Sequence, residues 1–494
     1  MSDRQALSAK QKHIHALRSV AGLLEWDEQV FLPPDSSDQR QDQSAAMAKV
    51  LHAAETDPEI ETLLQRLENA SPNPSGDPVL RDARIEYDRA TKLPASWVEN
   101  HARLCSEAYH AWARARQNND FASFAPYLQR HVDLAKERAE SLGWGERPYD
   151  LQIDLHDPGI DAATIDRLFS ELKEDLAPLA QEILDSPIKA RPDIFRGFPI
   201  PEQKAFLEDV TSSLGFNYKR GRIDISLHPF CSGNGADTRM TTRFHEDNPL
   251  DSLFSSIHET GHGLYEQGLP LDSLHNALGQ AAGMGVHESQ SRLWENQVSR
   301  SRSFWKHYEP KLRTAFPEQL EAISSDDLYL AINAVGRTPI RVDADEVTYN
   351  LHVIVRFEIE RRLFSGELSV NELPEYWNTQ YQELLGITPA NDAEGVLQDV
   401  HWSGGAFGYF PSYCLGNMLA AQLWYTALEQ LPGLEDDFAR GEFKRLLDWL
   451  GQAVHRHGAR YHLLELSKKA TGSSLSPKFL IRYLKERYLP LYRE

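Results

Sequence analysis

The stretch from Asn248 to Gln267 reads NPLDSLFSSIHETGHGLYEQ, and three of its residues, His258, Glu259 and His262, combine type and spacing in a way that can do chemistry. On an α-helix, residues four apart stand one turn above each other, so both imidazoles leave one face about a pitch apart. Two neutral histidines so placed can fill two of the four tetrahedral positions of one Zn²⁺. Glu259 projects beside them, where it can take a proton from a water activated by such an ion. The helix is well signalled. Asn248 suits the N-cap, Pro249 the first helical position and Asp251 the positive end of the macrodipole. Leu250, Leu253, Phe254, Ile257, Gly261 and Leu264 repeat at helical spacing, and Gly268 and Pro270 end the run.

A catalytic ion needs a third protein ligand and an open fourth position. Downstream, Gly285 to Val298 (GVHESQSRLWENQV) also has helical character, after a small-residue connection, Gly279 to Gly285, suited to a bend between close-packed helices. Glu288 and Glu295 lie two turns apart on one face of it, and spacing alone permits either as ligand.

The segment His287-Glu-Ser-Gln290 resembles the second signature of the carboxypeptidase Taq family of metallocarboxypeptidases. Further segments similar to that family's signatures follow in order: His228-Pro-Phe230, Asp237-Thr-Arg-Met-Thr241, Ile340-Arg-Val-Asp-Ala-Asp345 and Gly395-Val-Leu-Gln-Asp-Val-His-Trp402. Leu24-Glu-Trp-Asp27 followed by Arg40 is similar to the family's N-terminal region. The resemblance spans nearly the whole chain. It implies that Glu288 is the third ligand, with His258 and His262, of one Zn²⁺ per chain, Co²⁺ or another divalent ion being the alternative. It also implies a homodimer, and a single 1–494 metallocarboxypeptidase domain whose two helical halves flank a cleft, in a fold similar to angiotensin-converting enzyme and neurolysin.

The activity that follows is release of C-terminal amino acids from peptides, with Glu259 as general base. By resemblance and side-chain chemistry, His401 and Tyr409 are the candidates to stabilise the oxyanion. An enzyme trimming chain ends must grip a free α-carboxylate, which the planar fork of arginine does better than lysine. Arg341 is the first candidate, Arg239 the second, and Arg337 a third; His228 joins the substrate-binding set through its signature. An endo-acting zinc oligopeptidase and a non-catalytic metal-binding scaffold are the rival readings. An intact Glu259 argues against the scaffold. One feature departs from several other glutamate-ligand zinc peptidases: four residues after the ligand, where they place an acid that orients a histidine, stands Arg292. The second-shell partners of His258 and His262 are left open.

The elements that must position these residues read as mainly α with one small antiparallel sheet. From Ser2 to about Asp185 the pattern is helical, with turns at Pro33-Pro34 and Pro72 to Gly76, and a long helix from Phe121 stopped by Gly143. Arg222 to Leu227 and Thr238 to Phe244 alternate polar and apolar around the turn residues Cys231 to Ala236, which predicts a β-hairpin just before the metal helix. Val347 to Leu363 predicts another long helix, and the glycine- and aromatic-rich stretch from Leu397 to Leu415 predicts a loop lying against substrate. At 494 residues and a net charge of −21, the chain has room for a large core and no attraction for nucleic acid or anionic membranes. Three scattered cysteines give no disulfide framework, the N-terminus lacks a signal-peptide core and no apolar run reaches membrane length. Together these features lead to the expectation of a cytoplasmic protein acting on peptides with a free C-terminus.

Overall fold

A computed structural model describes residues 1–493. The protein is mainly helical, with one three-stranded sheet, and the chain forms two compact units, each assembled from three separate stretches.

The first unit comprises residues 1–91, 191–332 and 423–474. Its opening stretch is four helices, Asp3–Val30, Ser37–Glu55, Pro58–Ala70 and Pro78–Thr91. Ser2 and Gln5 form a reciprocal capping box at the start. Leu7, Ile60, Leu63, Leu64 and Leu80 pack together into a small local core. Buried Arg40 ties the first two helices: it donates to the Leu24 carbonyl at 2.5 Å and pairs with Asp27. The N-terminal signature is thus a structural tie.

The small sheet near the metal helix is present, with mixed pairing where an antiparallel hairpin was expected. β1 (Gly221–Ile225) runs parallel to β3 (Asp237–Thr242), and β2 (Cys231–Asn234) runs antiparallel to β3, in the order β1-β3-β2. Cys231 to Asn234, read as turn residues, pair instead, and the turn shrinks to Gly235-Ala236 between Asn234 and Asp237. Gly233 permits this, because a Cβ there would meet the Asp237 carbonyl oxygen at 1.9 Å. The metal helix, Pro249–Gly268, packs on β3, on the helix Ile200–Leu214 and on the helix Met284–Arg292.

The second unit comprises residues 92–190, 333–422 and 475–494. Helices Ala95–Asn118, Phe121–Ser141, Pro148–Asp154 and Ala162–Leu184 open it. Tyr349–Ser365, two residues offset from the expected helix, is buried from Tyr349 to Phe357 and packs against Ala162–Leu184 and Leu373–Leu385. The expected loop to Leu415 ends early, since a helix starts at Phe410 and takes Pro411 as its second residue. Before it, His401–Gly404 is a single 3₁₀ turn closed by Gly405 at φ +69°. Among the described residues no helix is long and apolar enough to cross a membrane.

Candidate metal centre

Asn248 stands at the N-cap of the metal helix without a side-chain capping bond, and Pro249 occupies the first turn as the sequence suggests. Most of the expected stripe is buried: Leu253, Phe254, Ile257 and Leu264 are at most 5 % exposed, while Leu250, at the helix start, is half-buried. That leaves His258 and His262 on a half-buried face, with ring centroids 4.9 Å apart.

Gly261 decides how near the second helix can come. A Cβ there would lie 2.5 Å from Ser291 Cα and 2.6 Å from the Gln290 carbonyl oxygen. With hydrogen in its place, Met284–Arg292 lies against the metal helix and delivers Glu288. Glu288 Oε2 is 3.5 Å from His258 Nε2 and 3.4 Å from His262 Nε2. Ligand atoms at about 2.0–2.2 Å in tetrahedral positions stand roughly 3.3–3.6 Å from each other, so two imidazoles and one carboxylate fit a divalent ion at their centre. His258, His262 and Glu288 form one of two such groups among the described residues.

The remaining atoms of these three side chains are all engaged. His258 Nδ1 bonds to Glu295 Oε2 at 2.8 Å. His262 Nδ1 lies 2.6 Å from His287 Nδ1, and His287 Nε2 lies 2.9 Å from Glu266 Oε1. For His262 to present a lone pair at Nε2, its Nδ1–H must donate to His287, whose Nε2–H then donates to the Glu266 carboxylate. Both outer nitrogens thus end on a carboxylate, the arrangement that fixes the tautomer and orientation of a metal-binding histidine. Arg292 donates to Glu288 Oε1 at 2.7 Å and to Glu295 Oε2 at 3.2 Å, while Glu288 Oε2 faces the histidines and accepts from Ser291 Oγ at 2.9 Å. The acid absent four residues after Glu288 is supplied seven residues after it. Spacing marked Glu295 only as a rival ligand. The π-helical turn Leu293–Val298, which no side-chain pattern announces, aims it at the outer nitrogen of His258. Gln290, the last residue of His287-Glu-Ser-Gln290, accepts from buried His455 at 3.0 Å and so serves packing.

Burial opposes charge on every one of these groups, and the neighbours decide the outcome. Burial would raise Glu288, but His258 and Arg292 hold it well below the ordinary carboxylate range. Burial likewise would raise Glu295, and Arg292 and His258 bring it to about 2. His258 would be lowered by burial, yet Glu288 and Glu295 lift it to about 9. Burial takes His262 down to about 3. Glu259 is 7 % exposed, and burial, aided by Glu288, lifts its carboxyl to about 7.

Two other sequence candidates lie in the same unit. Arg239, on β3, pairs with Asp237 at 2.9 Å and sits 4.2 Å over the ring of Trp26. His228 is exposed in the loop between β1 and β2, where its carbonyl accepts from Ser226 Oγ and Thr241 Oγ1.

The others lie in the second unit. Arg341 is 4 % exposed; its Nε and Nη2 donate to Asp399 Oδ1 at 3.0 and 2.9 Å, and its Nη1 to Tyr349. Asp399 also takes Arg356 at 2.6 Å, while Gln398 Oε1 accepts from the Arg341 backbone and from Arg356 Nη2. The signatures Ile340–Asp345 and Gly395–Trp402 therefore interlock through buried ion pairs. Arg337 pairs instead with exposed Asp185. The rings of His401 and Tyr409 are 5.5 Å apart, and burial lowers His401 to about 4.

A half-buried pair of histidines with a buried glutamate, a second glutamate beside them and carboxylates behind them has the donor set of a metal-dependent hydrolase. The family described as Carboxypeptidase Taq (M32) metallopeptidase matches residues 6–488, and the chain belongs to that family. It is 41% identical to thermostable carboxypeptidase 1 of Thermus thermophilus, across 99% of this chain and 98% of that one. It is 40% identical to carboxypeptidase 1 of Bacillus subtilis, across 97% of each. Its fold matches the crystal structure of the M32 carboxypeptidase from Deinococcus radiodurans with a TM-score of 0.96 at 40% identity, over the full length of both. The chain is therefore a metal-dependent peptide hydrolase of the carboxypeptidase type.

Proposed function

We propose that the protein is a zinc carboxypeptidase holding one ion on His258, His262 and Glu288. The observation that carries this reading is the convergence of two Nε2 atoms on Glu288 Oε2, at 3.5 and 3.4 Å, with both Nδ1 atoms already committed. An ion bound there supplies a Lewis acid that acidifies water and polarises a carbonyl. Glu259 takes the proton of the attacking water and hands it to the leaving amine. Burial lifts the Glu259 carboxyl to about 7, and with a cation held on His258, His262 and Glu288 it would be lower, ionised and ready to accept at neutral pH. His401, neutral through burial, and Tyr409 donate to the oxygen on which charge develops.

Arg341 reads the terminal carboxylate of the substrate in this proposal. Two guanidinium groups, Arg341 and Arg356, share the single carboxylate of Asp399, so these three groups keep one positive charge uncompensated. Arg239 and His228 contribute to holding the peptide. The family match over residues 6–488 supports treating 1–494 as one catalytic domain. A cytoplasmic homodimer belongs to the same reading, on the family resemblance.

The test is metal analysis of the purified protein combined with hydrolysis of peptide pairs that differ only in a free or amidated C-terminus. One zinc per chain and stepwise release from the free acids are expected. Equal internal cleavage of both peptides would replace this reading with an endo-acting oligopeptidase.

A further inference from the structure

Three ligand-type side chains with no part in the catalytic constellation meet in the second unit. His101 and Cys105 stand four residues apart on the helix Ala95–Asn118, hence on one face. His131 reaches them from the neighbouring helix Phe121–Ser141. One ligand atom from each lies within 4.8 Å of the other two, and Cys105 Sγ is 3.8 Å from His101 Nδ1 and 3.7 Å from His101 Nε2. A thiolate at about 2.3 Å and an imidazole at about 2.0–2.1 Å from a tetrahedral Zn²⁺ stand roughly 3.6 Å apart, so the His101–Cys105 pair already has the span of a chelate.

His131 is prepared as a ligand. It is 1 % exposed, and its Nε2 donates to the Ser403 carbonyl at 3.0 Å, which leaves the lone pair on Nδ1. That Nδ1 is buried and has no hydrogen-bond partner. A carbonyl behind one nitrogen and a free lone pair on the other is how a metal-binding histidine is oriented, and an orphaned buried acceptor calls for a reason. Gly405 keeps that nitrogen uncovered, since a Cβ there would come within 2.7 Å of it. The neighbouring Gly404 carbonyl lies 3.6 Å from Cys105 Sγ. The His101 ring is held by stacking on Trp97, with centroids 4.9 Å apart and planes 10° from parallel.

We propose that His101, Cys105 and His131 form a second metal site, selective for a thiolate-seeking d¹⁰ ion such as Zn²⁺ and completed by one water. A donor set of two imidazoles and a thiol favours zinc over magnesium or calcium. Binding deprotonates Cys105 and releases that proton to solvent. The catalytic ligands are two imidazoles and a carboxylate, so sulfur coordination separates the two sites spectroscopically.

The full-length protein, stripped with a chelator, is titrated with Co²⁺. Two equivalents should bind, one of them giving a sulfur-to-cobalt charge-transfer band in the near ultraviolet. Cys105→Ser should abolish the band and leave peptide hydrolysis unchanged, while Glu288→Ala should keep the band and lose hydrolysis. In parallel, stoichiometric Zn²⁺ should slow alkylation of Cys105, followed by peptide mapping, at least tenfold in the wild type and in Glu288→Ala, but not in His101→Ala. A single equivalent without a thiolate band, or Cys105 alkylation indifferent to Zn²⁺, would overturn the proposal.

Discussion

Glu259 and Glu288 are both buried glutamates of one small site, yet their neighbours drive them apart, and each difference can be measured. Glu259→Gln keeps the side chain's shape but cannot accept a proton. The variant should bind a full equivalent of metal and lose about 10²- to 10⁴-fold in kcat; a metal-replete variant with near-normal turnover would remove Glu259 from its role. Glu295→Ala leaves the ligand set intact and frees the outer nitrogen of His258, now 2.8 Å from the carboxylate. Metal affinity should fall about 10- to 100-fold, measured by competition with a chelating dye, whereas Glu288→Ala should fail to hold the ion at all. The ionisation of the metal-free site gives a further test. His258, raised to about 9 by Glu288 and Glu295 against the effect of burial, carries a proton at pH 7 that must leave when its Nε2 takes an ion. Metal binding at pH 7 should therefore release protons, and affinity should weaken as pH falls. Calorimetry in buffers of different ionisation enthalpy reads this directly; identical heats in all buffers would contradict it.

Between elements, the distance from the metal helix to Met284–Arg292 is set by one missing methyl group. Gly261→Ala puts a Cβ 2.5 Å from Ser291 Cα, where only backbone movement can relieve it. Overpacking of this kind costs about 1–3 kcal/mol, and the displaced helix carries Glu288 with it. The expected result is a lower Tm together with weakened metal binding, where Thr260→Ala, on the same turn, should change binding little. The metal helix was legible in the sequence because its signals are local: a proline at the first turn, an apolar stripe and i, i+4 histidines. The pairing of β1 with β3 was not, because a parallel contact between Arg222 and Arg239 depends on partners far apart in sequence, and Cys231-Ser-Gly-Asn234 has turn composition although it forms a strand. For the same reason Glu295 could be singled out by spacing without its use being readable. An α-helical count gives a different direction from the π-helical turn that carries it.

At the scale of the whole molecule, the buried cluster of Arg341, Arg356 and Asp399 joins two sequence-distant signatures inside the second unit. Asp399 would be raised by burial, but Arg356 and Arg341 hold it far below the ordinary value of 3.8. A carboxyl depressed on folding contributes stability that is present above its unfolded pKa and lost as pH falls toward the folded one. Asp399→Asn should cost about 3–5 kcal/mol at pH 7, by leaving two buried cations without a counter-charge, and should flatten the loss of stability below pH 4; urea melts at pH 3 to 7 check both. Arg341→Ala separates support from recognition. If Arg341 reads the substrate, free-acid peptides should lose roughly 30- to 5,000-fold in kcat/KM, equivalent to about 2–5 kcal/mol, while amidated peptides change little; a purely structural role would slow both alike. The threaded order of the stretches also bears on biosynthesis. The candidate metal ligands all lie in the middle stretch of their unit, but that unit is closed by residues 423–474, which bring His455 to Gln290 beside Glu288. Translation runs at about 5–20 residues per second, so the first stretch, with its own small core around Leu64, emerges well before its partners. Completion of the unit that carries the candidate metal centre is thus a late event in synthesis. A nascent chain stalled before Leu423 should carry all three candidate ligands and bind Zn²⁺ more weakly than one released at Ser474, which has every stretch of that unit.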